Sequence, residues 1–191
     1  VAIVFGDLVS FSSIVRTQGE LVSATFLGRY LDLVRDIARN QGARIVKTTG
    51  DGFFATFTGV PEAVVFCLEL KGQLAKSDAQ IRLSISYGRI RFRESELGDD
   101  IYGSELVRAA RLNSIAGPGQ ILISAEASHL VPKRYLLLAR GMQPLKGFEE
   151  PVAVGKSRKC TSHDKSHHAT GRRRSRTRQR PDHYIGSDCC R

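Results

Sequence analysis

Long apolar runs are missing from this 191-residue chain. None approaches the ~20 residues that a membrane-spanning helix needs, and no secretory signal peptide is visible. Cysteine is scarce where a fold could use it. Of four cysteines, Cys160, Cys189 and Cys190 fall at the C-terminal end, leaving Cys67 alone inside the apolar run "AVVFCLEL". One thiol in such a setting excludes a disulfide framework and fits a reducing compartment. The expected location is therefore cytoplasmic. The chain opens on Val1 rather than Met, so it reads as a fragment or a processed chain, and any membrane anchor is expected only in segments beyond it.

A charge of one sign is also missing from most of the chain. The formal net charge is +10, which by itself suggests a nucleic-acid partner. Its distribution argues against that. Residues 156 to 191 hold 11 Lys and Arg against 3 Asp and Glu, leaving 18 against 16 for residues 1 to 155. The domain, expected over 1–156, is nearly neutral, and the basic charge belongs to a tail, 157–191. That tail has no hydrophobic periodicity and too little apolar surface to offset the entropy of ordering, so it reads as disordered. Cys160, His163, His167 and His168 lie within it, but their spacing matches no zinc module well. "RRRSRTRQR" is suited to non-specific binding of nucleic acid or an acidic surface, but a solvated tail or a scrambled terminus is the favoured reading. No aromatic-basic surface in the domain supports specific nucleic-acid recognition.

What is present is a regular alternation of elements. "VAIVFGD" (1–7) reads as a buried strand ending at an acid, and "SFSSI" as the turn from strand to helix. Apolar residues recur at helical spacing from Gly19 to Asn40, among them Tyr30, Val34 and Ile37. "ARIVK" and "GFFATF" form a hairpin around "TTGD", with Asp51-Gly52 as a favoured turn pair. A helix over 61–76 opens with Pro in its first turn. Residues 81–92 alternate as a strand, and "RESELGDD" follows as a polar loop. A third helix over 102–116 closes at "GPG". "QILIS" is a strand, "ASHLV" a short helix, and "YLLLA" and "EPVAVGKS" are late strands. The order β-α-β-β-α-β, then a further α-β unit, predicts an α+β fold. It is a ferredoxin-like split βαβ arrangement with additions, an antiparallel-rich sheet carrying helices on one face. Fold alone assigns no activity.

Such a topology makes the first strand and the hairpin neighbours. Asp7 ends the one and Asp51 sits at the tip of the other, so two carboxylates distant in sequence converge at one sheet edge. Carboxylates beside backbone amides make a hard oxygen site for Mg²⁺ or Mn²⁺. "LVSFSS", with Phe11 and Ser12, would present amides to phosphates at a helix start. The plainer reading makes Asp7 a helix cap and Asp51 an ordinary turn residue. Read from residue types and topology alone, the two alternatives are evenly balanced.

The blocks then become specific. "FGDLVSFSSI", "VKTTGDGFFATF", "DDIYGSELVRAARLNSIAGPGQILIS" and "LKGFEEPVAV" resemble, in order, the motifs of the class III adenylate and guanylate cyclase catalytic domain, over nearly all of residues 1 to 155. The resemblance implies a head-to-tail homodimer with active sites at the subunit interface. It implies that Asp7 and Asp51 bind two Mg²⁺ or Mn²⁺ ions per site. Lys47 and Asp100 match the purine-reading pair, in the residue types of adenine-specific members. This agrees with chemistry, since Lys donates to ring N1 and Asp accepts from the exocyclic amine of adenine. The metal pair and the base pair would come from different subunits, so one hairpin serves two sites. Arg111 matches the arginine that stabilises charge on the transferring phosphoryl group. Lys146 matches a triphosphate contact less securely, because the alignment slips by one or two places there.

One position departs from the family. Val107 stands where an Asn is expected, and valine offers no hydrogen bond to the ribose. The implied activity is conversion of ATP to 3′,5′-cyclic AMP and pyrophosphate. The competing reading is a cyclase-homology module that dimerises or binds nucleotide with little turnover. Guanylate cyclase activity is disfavoured by Lys47 and Asp100.

Overall fold

The computed structural model describes residues 1–77, 79–93, 100–148 and 152–159. In chain order the elements are β1 (Ala2–Leu8), α1 (Phe11–Gln18), α2 (Glu20–Asn40), β2 (Arg44–Thr49), β3 (Gly52–Phe57), α3 (Val60–Leu74) and β4 (Ile81–Tyr87). Then come β5 (Arg91–Arg93), β6 (Asp100–Tyr102), α4 (Ser104–Ile115), β7 (Ile121–Ser124), α5 (Ala125–Ser128), β8 (Tyr135–Gln143) and β9 (Val152–Lys159). The main sheet has seven strands in the order β2-β3-β1-β4-β7-β9-β8, and β5 and β6 form a separate ribbon. The α+β architecture expected from the sequence is the one observed.

β1 is central, between β3 and β4, both antiparallel to it. Gly6 permits this. A Cβ there would lie 2.7 Å from Leu83 Cδ2 and from the Phe53 ring, closer than carbon atoms pack. β7 joins the far side of β4 as a parallel neighbour. The parallel pair needs a crossover, and α4 lies within it.

One face of the sheet carries the main core. Val4 and Leu8 of β1, Phe53 and Phe57 of β3, and Leu83 and Ile85 of β4 pack there against Tyr30, Val34 and Ile37 of α2 and Phe66 and Leu70 of α3. Phe66 meets Phe53 edge-on at 5.8 Å and Phe57 at 5.1 Å between ring centroids, separations favourable for aromatic pairs. Cys67 is fully buried in this layer, and burial pushes its thiol pKa well up.

The expectation of helices on one face needs correction. Strand residues alternate between faces, and the alternate residues of β4 serve α4. Ser84 donates to the Ala109 carbonyl at 2.7 Å, and Ser86 to that of Glu105 at 2.8 Å. Leu112 and Ala116 of α4 cluster with Leu122 and Leu145, apart from the main core. α4 therefore packs on the face opposite α2 and α3. Arg108 of α4 stacks over the Phe148 ring at 5.4 Å and pairs with Glu126 at 2.5 Å, which fastens the helix to the α5 end.

Three local expectations also shift. "SFSSI" is not a turn but opens α1, an eight-residue helix separated from α2 by Gly19 at φ 82°. The predicted strand 81–92 breaks after Tyr87, and Arg91–Arg93 pairs instead with Asp100–Tyr102. Of the polar loop expected after it, residues 94–99 lie outside the described residues, and Asp100 opens β6. At the other end, β9 runs to Lys159, opposite Tyr135 of β8. The segment 157–159, read as the start of the tail, is thus strand, while the remainder of that tail, 160–191, lies outside the described residues. No described helix is long and apolar enough to cross a membrane.

Candidate active site

The β2–β3 hairpin closes tightly, with Thr49 opposite Gly52. Its turn residues are Gly50 and Asp51, not the Asp51-Gly52 pair expected from sequence. Gly50 takes φ 59°, a positive value of the kind that the first central residue of a two-residue hairpin turn requires. Asp51 follows at the tip. On the neighbouring strand, Gly6 lies opposite Phe53, so the next residue, Asp7, comes level with the turn. The sheet brings these two acids together, as the topology suggested.

Their electrostatics follow from this proximity. Burial raises the Asp51 pKa above its ordinary value, and the Asp7 charge raises it further. The backbone amide of Asp51 first, then the Arg82 charge and the Leu8 amide, oppose the rise without cancelling it. Tyr30 reaches the same place from α2. It is only 2% exposed, and its hydroxyl has no hydrogen-bond partner among the described residues. Burial first, then the charges of Asp51 and Asp7, drive its pKa strongly upward, so the phenol stays protonated.

Asp7 is already engaged. Arg82 stands opposite it in the β1–β4 register, donating from Nε to Oδ1 and from Nη2 to Oδ2, the latter at 2.7 Å. Neither Arg82 nor Tyr30 is a candidate from sequence: Arg82 looks like any polar residue of an alternating strand, and the helical spacing of Tyr30 groups it with apolar neighbours. The alternation of "IRLSISY" did carry a signal: it sets Arg82 on the face opposite Ile81, Leu83 and Ile85.

After Asp7 the chain turns sharply. Ser10 takes φ 59°, the one left-handed non-glycine among the described residues, a backbone strain typical of functional turns. Its carbonyl accepts from the Ser13 and Ile14 amides. The Phe11 and Ser12 amides then head α1 with no backbone acceptor among the described residues. Ser12 is exposed. The Phe11 ring turns inward, stacking on Phe26 at 6.5 Å, so only its backbone faces the site.

The remaining candidates stand apart from this cluster. Lys47 is exposed on β2, at the sheet edge. Asp100 opens β6, opposite Arg93; its side chain lies outside the described residues. Arg111 is half-buried on α4, and Lys146 is exposed in the β8–β9 connection. Among the described residues, no ion pair or side-chain hydrogen bond joins Lys47, Arg111 or Lys146 to Asp7 or Asp51. Val107 is 48% exposed, one turn before Arg111 and outside the buried stripe of Ala109, Leu112 and Asn113. Among the described residues, no group of three or more His, Cys, Asp or Glu could hold a metal; the acidic set is the Asp7–Asp51 pair alone.

Comparison with known proteins places this geometry. The family model "Adenylate and Guanylate cyclase catalytic domain" matches residues 1–159. An adenylate cyclase of Glutamicibacter nicotianae is 33% identical over 151 residues, covering 77% of this chain and 36% of that protein. An uncharacterized protein of Mycobacterium tuberculosis is 32% identical over 152 residues, covering 78% and 38%. The chain thus spans well under half the length of these relatives. Among solved structures, the adenylyl cyclase CyaB of P. aeruginosa superposes with a TM-score of 0.77 at 22% identity, covering 84% of this chain and 94% of that one. The guanylate cyclase domain of RhGC from Catenaria anguillulae, solved with GTP, gives 0.77 at 17% identity, covering 84% and 96%. Adenylate and guanylate cyclases fit the backbone equally well, so the fold does not choose the purine. A family match over most of the chain, joined to a carboxylate pair at β1 and the hairpin tip, leads to one conclusion: the chain belongs to the adenylate and guanylate cyclase catalytic-domain family.

Proposed function

We propose that this domain is an adenylate cyclase acting as a head-to-tail homodimer, with each site shared between two subunits. The observation that carries the reading is the meeting of Asp7 and Asp51 at one end of the sheet, with α1 opening at Phe11 just after Asp7. The donor set suits a hard divalent cation: two carboxylates, room for water at a half-exposed edge, and no soft ligand. Asp7 and Asp51 would hold Mg²⁺ or Mn²⁺, two per site, which when bound activates the attacking oxygen and neutralises charge on the leaving phosphate.

The chain's own groups then divide the work. The amides heading α1 receive the triphosphate at a helix N-terminus. Lys47 and Asp100 of one subunit read adenine, donating to N1 and accepting from the exocyclic amine. Arg111, unpaired within the described residues, is free to meet charge on the α-phosphate. The ribose 3′ oxygen attacks the α-phosphorus in line and loses its proton. The bond from the α-phosphorus to the bridging oxygen breaks, and pyrophosphate leaves. Among the described residues neither Lys47 nor Arg111 is paired with Asp7 or Asp51, which leaves both available to a partner subunit's site.

A second reading is favoured by one observation. Val107 exposes an apolar side chain beside Arg111, where a ribose contact would be expected, which suits a nucleotide-binding or dimerising module with little turnover. Measuring cyclic AMP and cyclic GMP formed from Mn²⁺-ATP and Mn²⁺-GTP separates the readings. Turnover of ATP that vanishes in Asp7→Asn and Asp51→Asn is expected. Lys47→Glu with Asp100→Cys should shift preference toward GTP. Absence of any turnover by the folded dimer would favour the module.

A further inference from the structure

Asp7 is not a free carboxylate in this domain. The Arg82 fork engages both its oxygens, one nitrogen to each. The pair is neither buried nor fully solvated: the side chains are 35% exposed for Arg82 and 25% for Asp7. Bidentate guanidinium–carboxylate geometry is among the stronger polar contacts. Asp51 lies within electrostatic reach of both partners.

We propose that Arg82 is a resident counter-cation of the candidate metal site, holding Asp7 in place of a divalent ion and yielding it when the metal binds. This rests on the reading of Asp7 and Asp51 as metal ligands. Mg²⁺ and Mn²⁺ need carboxylate lone pairs directed at them at short range, Mg²⁺ in near-octahedral geometry. The Arg82 fork takes one lone pair on each Asp7 oxygen and fixes the plane of the carboxylate, leaving fewer lone pairs to turn toward a metal. A guanidinium and a divalent ion on the same carboxylate would also repel each other. Metal binding is therefore an exchange, and the exposure of Arg82 gives its head a path into solvent.

The same residue explains how the empty site is tolerated. Two carboxylates beside a buried phenol with no partner among the described residues form an anionic end of the sheet. Without a cation, their mutual repulsion opposes folding. Arg82 supplies that cation from within. Its two effects are opposite in sign: it stabilises the metal-free fold and weakens metal binding. A residue acting only as structure would do the first alone. Arg82 is thus a positioning residue, acting on the metal through Asp7.

The test uses Mn²⁺ alone as the probe. Its binding is followed by the loss of the free-ion paramagnetic resonance signal, in the wild type and in Arg82→Gln, Arg82→Lys and Asp51→Asn. Arg82→Gln should bind Mn²⁺ about tenfold more tightly, the scale of one lost charge-assisted contact. Its melting temperature without metal should fall, and saturating Mn²⁺ should close most of that gap. Arg82→Lys keeps the charge without the fork and should bind with intermediate affinity; it decides the question if the glutamine variant does not fold. Mn²⁺ affinity equal to or weaker than wild type in the folded Arg82 variants overturns the exchange, while weaker binding by Asp51→Asn keeps the metal site. Unchanged binding by Asp51→Asn removes the metal site, and the proposal with it.

Discussion

Val107→Asn should make this domain a faster enzyme without changing its fold. The side chain is 48% exposed on α4, outside the stripe that packs on the sheet. Exposed substitutions of this kind usually stay within about 0.5 kcal/mol of neutral. Valine and asparagine also differ little in helix propensity. A change in rate therefore cannot be charged to stability. Residues 107 and 111 are four apart, so their side chains neighbour each other along the helix. If Arg111 meets the α-phosphate, position 107 faces the ribose next to it. Losing one oriented donor in a transition state costs about 10²–10³ in turnover. Supplying one to an unoptimised site should return a part of that, about tenfold. The gain should fall on kcat, since holding the ribose for in-line attack is an orientation effect. The assay is cyclic AMP release at saturating Mn²⁺-ATP, with sedimentation to confirm that the variant remains dimeric. The argument is falsified if the folded dimeric variant shows no gain; the ribose would then be held by another group, or the domain would not turn over at all.

Other perturbations test the frame that holds the site. Gly6→Ala puts a methyl group 2.7 Å from Leu83 and Phe53; overpacking of this kind costs about 1–3 kcal/mol, which should lower the melting temperature by about 2–12 °C at this chain size. Asp51→Asn should be inactive yet more stable than wild type in metal-free buffer at neutral pH. The Asp51 pKa is raised on folding, so wild-type stability falls as pH rises from 3.8 through the raised value. The neutral variant escapes that fall, and a stability difference that did not grow over this pH window would count against the environment assigned to Asp51. Ending the chain after Lys159 should leave the melting temperature unchanged, whereas ending it after Glu150 deletes β9 from between β7 and β8 and should prevent stable folding. A large loss from the first truncation would show that the tail packs on the domain.

The sequence carried the order of elements because each is signalled locally. Apolar spacing marks α2 and α3, alternation marks β4, and turn residues bound the hairpin. The meeting of Asp7 and Asp51 was legible for a related reason: a split βαβ order makes the first strand and the hairpin neighbours, and both acids end their elements. What was not legible depends on pairing between strands, which periodicity does not encode. In "IRLSISY" the apolar residues show which face is the core, and the others look like a solvent face. Yet Ser84 and Ser86 are buried, because α4 covers them and its carbonyls accept their hydroxyl protons. Small hydroxyl residues look alike in a list whether they meet water or a helix. Arg82 is subject to the same ambiguity with larger consequences. Its meaning comes from being directly across from Asp7, and a slip of one residue would turn it to the other face of the sheet. Register here is fixed by Gly6, where Leu83 and Phe53 close over a position that admits no side chain. The glycine beside the acid thus decides which cation the acid meets, linking the packing of the core to the chemistry at its edge.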